Sequence, residues 1–327
     1  MKVVITDHRF PDVEQERAAV EGAGGTLVVP QTTEEQQLIN ACKDADGIIT
    51  ARAQITKAVI AAMERCRIIV RYGIGVDTID IPAATGRGIM VANVPDYCID
   101  EVSDHALTLL LMLSRQMIPA MALAREDRWA VAKMPTLHRL RGQVCGLLGC
   151  GKIGSLLAGK VQQLGMRVVI HDPFLSQERA REMGAQLVSF DDLLATADVI
   201  SLHAPLNEQT QHLFGAATFA KMKNTASIIN TARGGLIDEN ALVAALDAGK
   251  IFGAGLDVVE SETEVTPTRA ALVNHPKIVV TAHTAWLSVE ARASLQARAA
   301  AQVVSCLQGE KPYGLVNRGV TPRAIAK

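Results

Sequence analysis

The feature that most constrains this chain is a rhythm that runs through it twice. Short β-rich runs alternate with helix-length amphipathic segments: VVIT at 3–6, TLVV at 26–29, GIIT at 47–50, IIVRYG at 68–73 and IMVANV at 89–94. Such βαβ spacing implies a parallel sheet with helices over both faces. The rhythm breaks between Asp100 and about Trp129, where DEVSDHALTLLLMLSRQ and IPAMALAREDRW read as an interdomain helix pair. A second series follows: VCGLLG at 144–149, RVVIHD at 167–172, QLVS at 186–189, VISLHA at 199–204, ASIINTA at 226–232, GAGLDVV at 253–259 and IVVTAH at 278–283. An α/β chain with two doubly wound parallel sheets is predicted, and 327 residues suit two domains. The closing run SVEARASLQARAAAQVVSCLQ at 288–308 has no strand after it in this series and is free to cross back onto the first domain. That would make the first domain discontinuous, 1–101 with 289–327, around a second at 102–288.

Composition excludes several classes. With 49% hydrophobic and 20% charged residues the chain is not natively disordered. Lys+Arg 33 against Asp+Glu 34 leaves a net charge of −1, so there is no global basic field for nucleic acid or an anionic membrane. No apolar stretch approaches the roughly 18 to 20 residues of a membrane span, and the run after Lys2 stops at Asp7, too short for a secretory signal. Cysteines 42, 66, 98, 145, 150 and 306 form no CxxC pair, which argues against disulfides and a zinc knuckle and for a reducing cytoplasm.

In GLLGCGKIG, Gly149, Gly151 and Gly154 make a G-x-G-x-x-G between a predicted strand and a predicted helix. The first glycine allows the tight turn, the second lets backbone approach a pyrophosphate, and the third lets helix and strand pack, with the helix N-terminus favouring phosphate charge. Asp172, eighteen positions after Gly154, closes the next strand, where its carboxylate would hold the adenosine ribose hydroxyls. It would repel a 2′-phosphate, and Pro173 and Phe174 follow it rather than an arginine, which favours NAD over NADP. Alone, Asp172 also reads as a turn aspartate before proline.

Three side chains able to do chemistry beside a nicotinamide follow predicted strands: Arg233 in NTARGGLIDE, Glu262 in LDVVESE and His283 in TAHTAW. Ligands of open α/β sheets bind outside the carboxyl ends of the strands, so all three belong on the cofactor's side. A histidine exchanges protons near neutral pH, a carboxylate favours its protonated form, and a guanidinium holds a substrate carboxylate at two points. Singly, each has a plainer reading: a solvated or capping arginine, an acidic loop shared with Glu260 and Glu264, a packed histidine. His105, His138, His171 and His275 are read as surface or packing residues.

The pieces RYGIGVDTIDIPAATGRGI, NVPDYCIDEVSDHALTLLLMLSR, GLLGCGKIG, SLHAPLNEQT, INTARGGLIDENAL, GAGLDVVESE and TAHTAW together resemble the D-isomer-specific 2-hydroxyacid dehydrogenase family over nearly the whole chain. HTAW and SDHAL look most like the branch that includes C-terminal-binding-protein-type dehydrogenases. The resemblance implies a flavodoxin-like substrate domain built from both chain ends, an inserted Rossmann NAD-binding domain, a cleft between them and a homodimer. It implies that Arg233 binds the substrate carboxylate and carbonyl oxygen, that His283 gives and takes the proton, and that Glu262 orients His283 and raises its pKa. Ile74 and Gly75 would offer N–H groups to the substrate carboxylate, with Tyr72 lining the pocket. Lys152 and Ile153 would lie along the pyrophosphate, His203 and Pro205 near the adenine side, Thr231 and Ala232 near the nicotinamide, and Asp257 on its carboxamide, with Thr210 a further cofactor-binding residue. NADH would deliver hydride to the carbonyl carbon of a 2-oxo acid, with no metal required.

The chain departs from the family at Ala282 and Thr263, where many members have proline, and at Trp286, which reads either as narrowing the pocket or as packing at a subunit interface. The end, GEKPYGLVNRGVTPRAIAK, is expected to carry no regulatory domain of the long phosphoglycerate dehydrogenase kind. Cys150 reads either as a small turn filler or as a thiolate favoured by the helix N-terminus, whose oxidation would block NAD. The leading function is NAD-dependent interconversion of a small 2-oxo acid and its D-2-hydroxy acid, glyoxylate or hydroxypyruvate first. Two alternatives stay open: an NAD-sensing scaffold that binds protein partners, and oxidation of a small anion such as formate or phosphite.

Overall fold

The central strands are apolar along their whole length because helices cover them on both sides; GIIT at Gly47–Thr50 and VCGLL at Val144–Leu148 have every residue buried. The structure is a computed structural model that describes residues 1–126, 129, 134 and 136–323. The chain falls into two units, Met1–Tyr97 with Ser288–Lys327, and Cys98–Leu287.

The first unit runs β1 (Lys2–Ile5), α1 (Glu14–Gly22), β2 (Thr26–Val28), α2 (Glu35–Cys42), β3 (Gly47–Thr50), α3 (Lys57–Ala62), β4 (Ile68–Arg71), α4 (Ile81–Gly86) and β5 (Met90–Ala92). Its strands are parallel in the order β2-β1-β3-β4-β5, the flavodoxin-like arrangement. The chain's last helix, Val289–Leu307, belongs to this unit and starts at Ser288, whose hydroxyl accepts the Ala291 N–H at 2.8 Å. It is fastened by buried polar groups: the Tyr72 hydroxyl donates to Glu16 Oε1 at 2.6 Å, and Gln296 Nε2 donates to Glu16 Oε2 at 3.2 Å and to the Asp12 carbonyl at 3.0 Å. Burial and the neighbouring Glu16 push the Tyr72 phenol well above its usual range, so it stays a donor. Asp7, just past β1, accepts the N–H groups of Ala51, Arg52 and Ala53 at 3.1, 2.8 and 3.2 Å and so fixes the turn after β3.

The second unit contains α5 (Ile99–Ser114), α6 (Met117–Arg125), β6 (Val144–Leu148), α7 (Lys152–Gln163), β7 (Arg167–His171), α8 (Gln177–Glu182), β8 (Gln186–Leu187), α9 (Phe190–Thr196), β9 (Val199–Leu202), α10 (Ala216–Phe219), β10 (Ser227–Asn230), α11 (Glu239–Asp247), β11 (Gly253–Leu256), α12 (Pro267–Asn274) and β12 (Ile278–Val280). The last helix of the first unit is thus α13. The seven strands are parallel in the order β12-β11-β10-β9-β6-β7-β8, so strand order reverses between β6 and β9, where a doubly wound sheet binds its ligand. Of the expected helix pair, α5 packs its buried Ala106, Leu109, Leu110 and Leu113 into this unit's own core with Leu147, Leu157 and Ile229. The pair is bent by 62°, with Gln116 in a left-handed conformation between the two helices, and the end of the expected stretch lies mostly outside the described residues. No single helix among the described residues is long and apolar enough to cross a membrane.

Candidate active site

The turn from β6 into α7 carries the glycine motif. Gly149 has φ +83°, and a Cβ there would meet the His203 carbonyl and Ala204 nitrogen at 3.0 Å; a Cβ on Gly154 would lie 2.7 Å from the Gly149 oxygen. Gly151 faces open space, with nothing within 4 Å of a Cβ, and it and Lys152 are exposed at the head of α7. The first-turn N–H groups therefore point at a space a pyrophosphate can enter. Asp172, after β7, accepts the Cys150 N–H on Oδ2 and the Phe174 N–H on Oδ1, both at 2.8 Å, which leaves lone pairs on each oxygen for a diol.

The surroundings of Cys150 favour the turn-filling reading over the thiolate one. It is buried, its Sγ lies 3.5 Å from Ser155 Oγ, and burial pushes the thiol up, so the helix N-terminus does not make it a ready thiolate. His203 packs under the glycine turn with Nε2 at 2.9 Å from Ser201 Oγ, and burial pushes its pKa down to about 4, so it is neutral. Thr210 closes its own loop, donating to the Pro205 carbonyl at 2.7 Å and accepting the Asn207 N–H at 2.8 Å; Pro205 is exposed.

At the other half of the sheet, Arg233, Glu262 and His283 follow β10, β11 and β12, three neighbouring strands. The β10 loop is held by Asn230, whose Oδ1 accepts the Ala232 N–H at 3.0 Å while its Nδ2 donates to the Arg233 carbonyl at 2.8 Å. Gly234 then presses on the next loop so closely that a Cβ would stand 2.1 Å from the Val259 carbonyl carbon. His283 Nδ1 lies 2.7 and 2.9 Å from the two oxygens of Glu262. A carboxylate only accepts, so Nδ1 carries a proton and Nε2 is the nitrogen left for chemistry. The two side chains are about one-third exposed, open to a substrate. The Thr231 hydroxyl is buried and has no hydrogen-bond partner among the described residues, the kind of orphan a bound group satisfies. Open space at Gly151, diol-ready Asp172 and this hydroxyl fit a dinucleotide.

Asp257 is tied into the turn that carries His283. Its Oδ1 accepts the Thr281 hydroxyl at 2.6 Å and the Thr284 N–H at 2.9 Å, its Oδ2 accepts the Ala285 N–H at 2.9 Å, and its carbonyl accepts the His283 N–H at 2.8 Å. The carboxylate is 98% buried and is engaged by the turn that carries His283. That turn includes His283 itself at φ +53°, and Trp286 closes it by donating Nε1–H to the His283 carbonyl at 3.1 Å. From α5, His105 reaches it with Nε2 at 2.8 Å from Thr281 Oγ1. Sequence reasoning set His105 aside; its one local signal is a polar residue at the edge of the buried face formed by Val102, Ala106 and Leu109.

In the first unit, Tyr72 is corrected: its side chain is 4% exposed and its hydroxyl belongs to Glu16, so it does not line a pocket. The loop beyond it is pinned by Asn93, whose Nδ2 donates to the Ile74 carbonyl at 2.5 Å, while Val94 N–H donates to the Gly73 carbonyl at 3.0 Å. The N–H groups of Ile74 and Gly75 make no hydrogen bond among the described residues.

Residues 107–285 match the model of the D-isomer specific 2-hydroxyacid dehydrogenase NAD binding domain. A glyoxylate reductase of Korarchaeum cryptofilum is 34% identical over 287 residues, 86% of this chain and 86% of that protein. A D-3-phosphoglycerate dehydrogenase of Synechocystis is 37% identical over 295 residues, 90% of this chain and 52% of that protein, so the chain spans about half the length of such relatives. A solved structure of the D-lactate dehydrogenase of Aquifex aeolicus, complexed with NAD and lactic acid, superposes with a TM-score of 0.86 at 25% identity, covering 94% of this chain and 96% of that one. The glycine turn with its aspartate and the histidine–glutamate pair both lie within the matched NAD-binding segment, and with a full-length relative at 34% identity the chain belongs to the D-isomer specific 2-hydroxyacid dehydrogenase family.

Proposed function

We propose that the protein is an NAD-dependent oxidoreductase that interconverts a small 2-oxo acid and its D-2-hydroxy acid, with glyoxylate or hydroxypyruvate as the first substrates to try. The observation that carries this reading is the His283–Glu262 pair at 2.7 Å, next to the loop of Arg233 and in the same unit as the glycine turn. NAD, when bound, supplies or accepts the hydride. The chain's own residues do the rest. Arg233 offers a planar two-point donor to a carboxylate. With Nδ1–H held by Glu262, a protonated His283 donates from Nε2 to the carbonyl oxygen as negative charge develops there, and Glu262 stabilises the imidazolium. In the oxidative direction neutral Nε2 accepts the hydroxyl proton. Asp172 would take the adenosine ribose hydroxyls and repel a 2′-phosphate, which supports NAD over NADP.

We further propose a homodimer in a reducing cytoplasm: α6 leaves Met117, Ile118 and Met121 each at least 40% exposed, and all six cysteines are unpaired.

The test is loss of NADH absorbance with glyoxylate, hydroxypyruvate, its phosphate ester, pyruvate, phenylpyruvate and 2-oxoglutarate, with NADPH in parallel. His283→Ala is expected to lower turnover severely at nearly unchanged NADH affinity. Tight NADH binding with no turnover would move the scaffold and small-anion readings ahead.

A further inference from the structure

We propose that His105 is a positioning residue for His283, acting through Thr281 and Asp257 on the turn that presents the acid–base ring; this rests on the reading of His283 given above. The hydrogen-bond inventory fixes the direction of the chain. Asp257 accepts only, so the single Thr281 hydroxyl proton goes to its Oδ1 at 2.6 Å. At 2.8 Å from that same hydroxyl oxygen, His105 Nε2 is then the donor. His105 Nε2 also lies 3.5 Å from Asp257 Oδ1, so it faces the carboxylate as well as the hydroxyl.

Four hydrogen bonds that shape residues 281–285 converge on Asp257: the Thr281 hydroxyl, the Thr284 and Ala285 N–H groups on its carboxylate, and the His283 N–H on its carbonyl. His283 sits in the left-handed region at φ +53°, a conformation that a residue with a side chain keeps only when its surroundings impose it. His105 reaches this cluster from α5, a different layer of the unit from β11 and β12. It anchors the turn to a helix whose other side is in the core, so the His283 Cα is held against a rigid element.

The test has two readouts, one of which needs neither cofactor nor turnover. Hydrogen exchange of the unliganded protein, read by mass spectrometry, follows the 281–287 segment in His105→Leu and His105→Gln; the glutamine amide places an N–H donor where Nε2 stood. Loss of this bond is expected to speed exchange of that segment about tenfold and to lower kcat about tenfold, a step of about 1.4 kcal/mol, with the NADH dissociation constant and the exchange of other segments unchanged. His105→Gln should restore most of both. If the leucine variant does not fold, Thr281→Val removes the bridging hydroxyl at equal volume and should give the same pattern. Wild-type exchange of 281–287 in a folded His105→Leu, or faster exchange with wild-type kcat, would overturn the proposal. Absence of turnover by the wild-type protein on every 2-oxo acid would instead refute the acid–base reading of His283, while the exchange data would still decide whether His105 holds the turn.

Discussion

Gly234 stands where the loop of Arg233 crosses the loop that leads to Glu262, and an alanine there should uncouple them. A Cβ would lie 2.1 Å from the Val259 carbonyl carbon, 2.3 Å from its oxygen and 2.4 Å from the Glu260 nitrogen. All three are backbone atoms, and the Glu260 N–H is itself tied to the buried Glu239 carboxylate at 2.7 Å, so no rotamer change relieves the clash. Moving from 2.1 Å to an ordinary contact near 3.4 Å requires one loop to shift by about 1.3 Å. Overpacking of this kind costs about 1 to 3 kcal/mol, and with backbone on the far side the upper figure applies. For a unit of this size about 3 kcal/mol lowers Tm by roughly 6 to 12 °C. A displacement of about 1 Å between catalytic groups costs roughly a hundredfold in rate, so kcat on the preferred 2-oxo acid should fall by that order. NADH affinity, measured by fluorescence titration, should be nearly unchanged because the glycine turn is untouched. Gly159→Ala, on α7 with nothing within 4 Å of the new methyl, is the control and should hold Tm or raise it slightly. A Gly234→Ala protein with wild-type Tm by calorimetry and wild-type kcat would show that the two loops do not interlock.

Other expectations follow from single groups. Thr231→Val removes a buried hydroxyl with no partner among the described residues, so it should leave the unliganded Tm equal or higher while weakening NADH binding severalfold; unchanged affinity would remove Thr231 from the cofactor's contacts. The Glu260 carboxylate holds a 2.5 Å hydrogen bond to His212 and raises its pKa above the ordinary 6.5. A raised pKa means the pair's contribution is fully present below about pH 6.5 and disappears as pH rises through the folded-state value, so the Tm difference between wild type and His212→Gln should be larger near about pH 6 than near about pH 9. A difference that grew with pH would refute that assignment. Buried Cys150, its thiol pushed up by desolvation, should resist alkylation in the folded protein at neutral pH, and labelling at the rate of a free thiol would contradict its burial.

The sheets were legible because parallel strands covered on both faces are written as short apolar runs, and all twelve stand where those runs are, down to the two-residue Gln186–Leu187. The glycine turn was legible for a similar reason: its requirements are steric and local, a positive φ at Gly149 and a close approach at Gly154. What the chain did not disclose is where side chains end up across long sequence separations. Tyr72 adjoins a loop with open amides, yet its ring goes into the core because Glu16, 56 residues away, accepts its hydroxyl. Cys150 sits at a helix start, where the dipole favours a thiolate, but desolvation outweighs that effect. His105 and Thr281 are 176 residues apart, and no local pattern in SDHAL announces the bond between them.

The histidine turn also shows why two carboxylates are needed beside one imidazole. Keeping a non-glycine residue at φ +53° costs of order 1 to 3 kcal/mol. Asp257 offsets this with three donors on its buried carboxylate, and hydrogen bonds to a charged group contribute about 1.5 to 3 kcal/mol each. The turn in turn places the ring within 2.7 Å of Glu262 on the loop after the neighbouring strand. Glu262 alone would orient the imidazole but leave its Cα free to swing, and Asp257 alone would fix the Cα but leave the ring to rotate about χ1 and χ2. The proton transfer proposed for His283 needs Nε2 at a set distance and a set angle, and only backbone and ring restraint together define both.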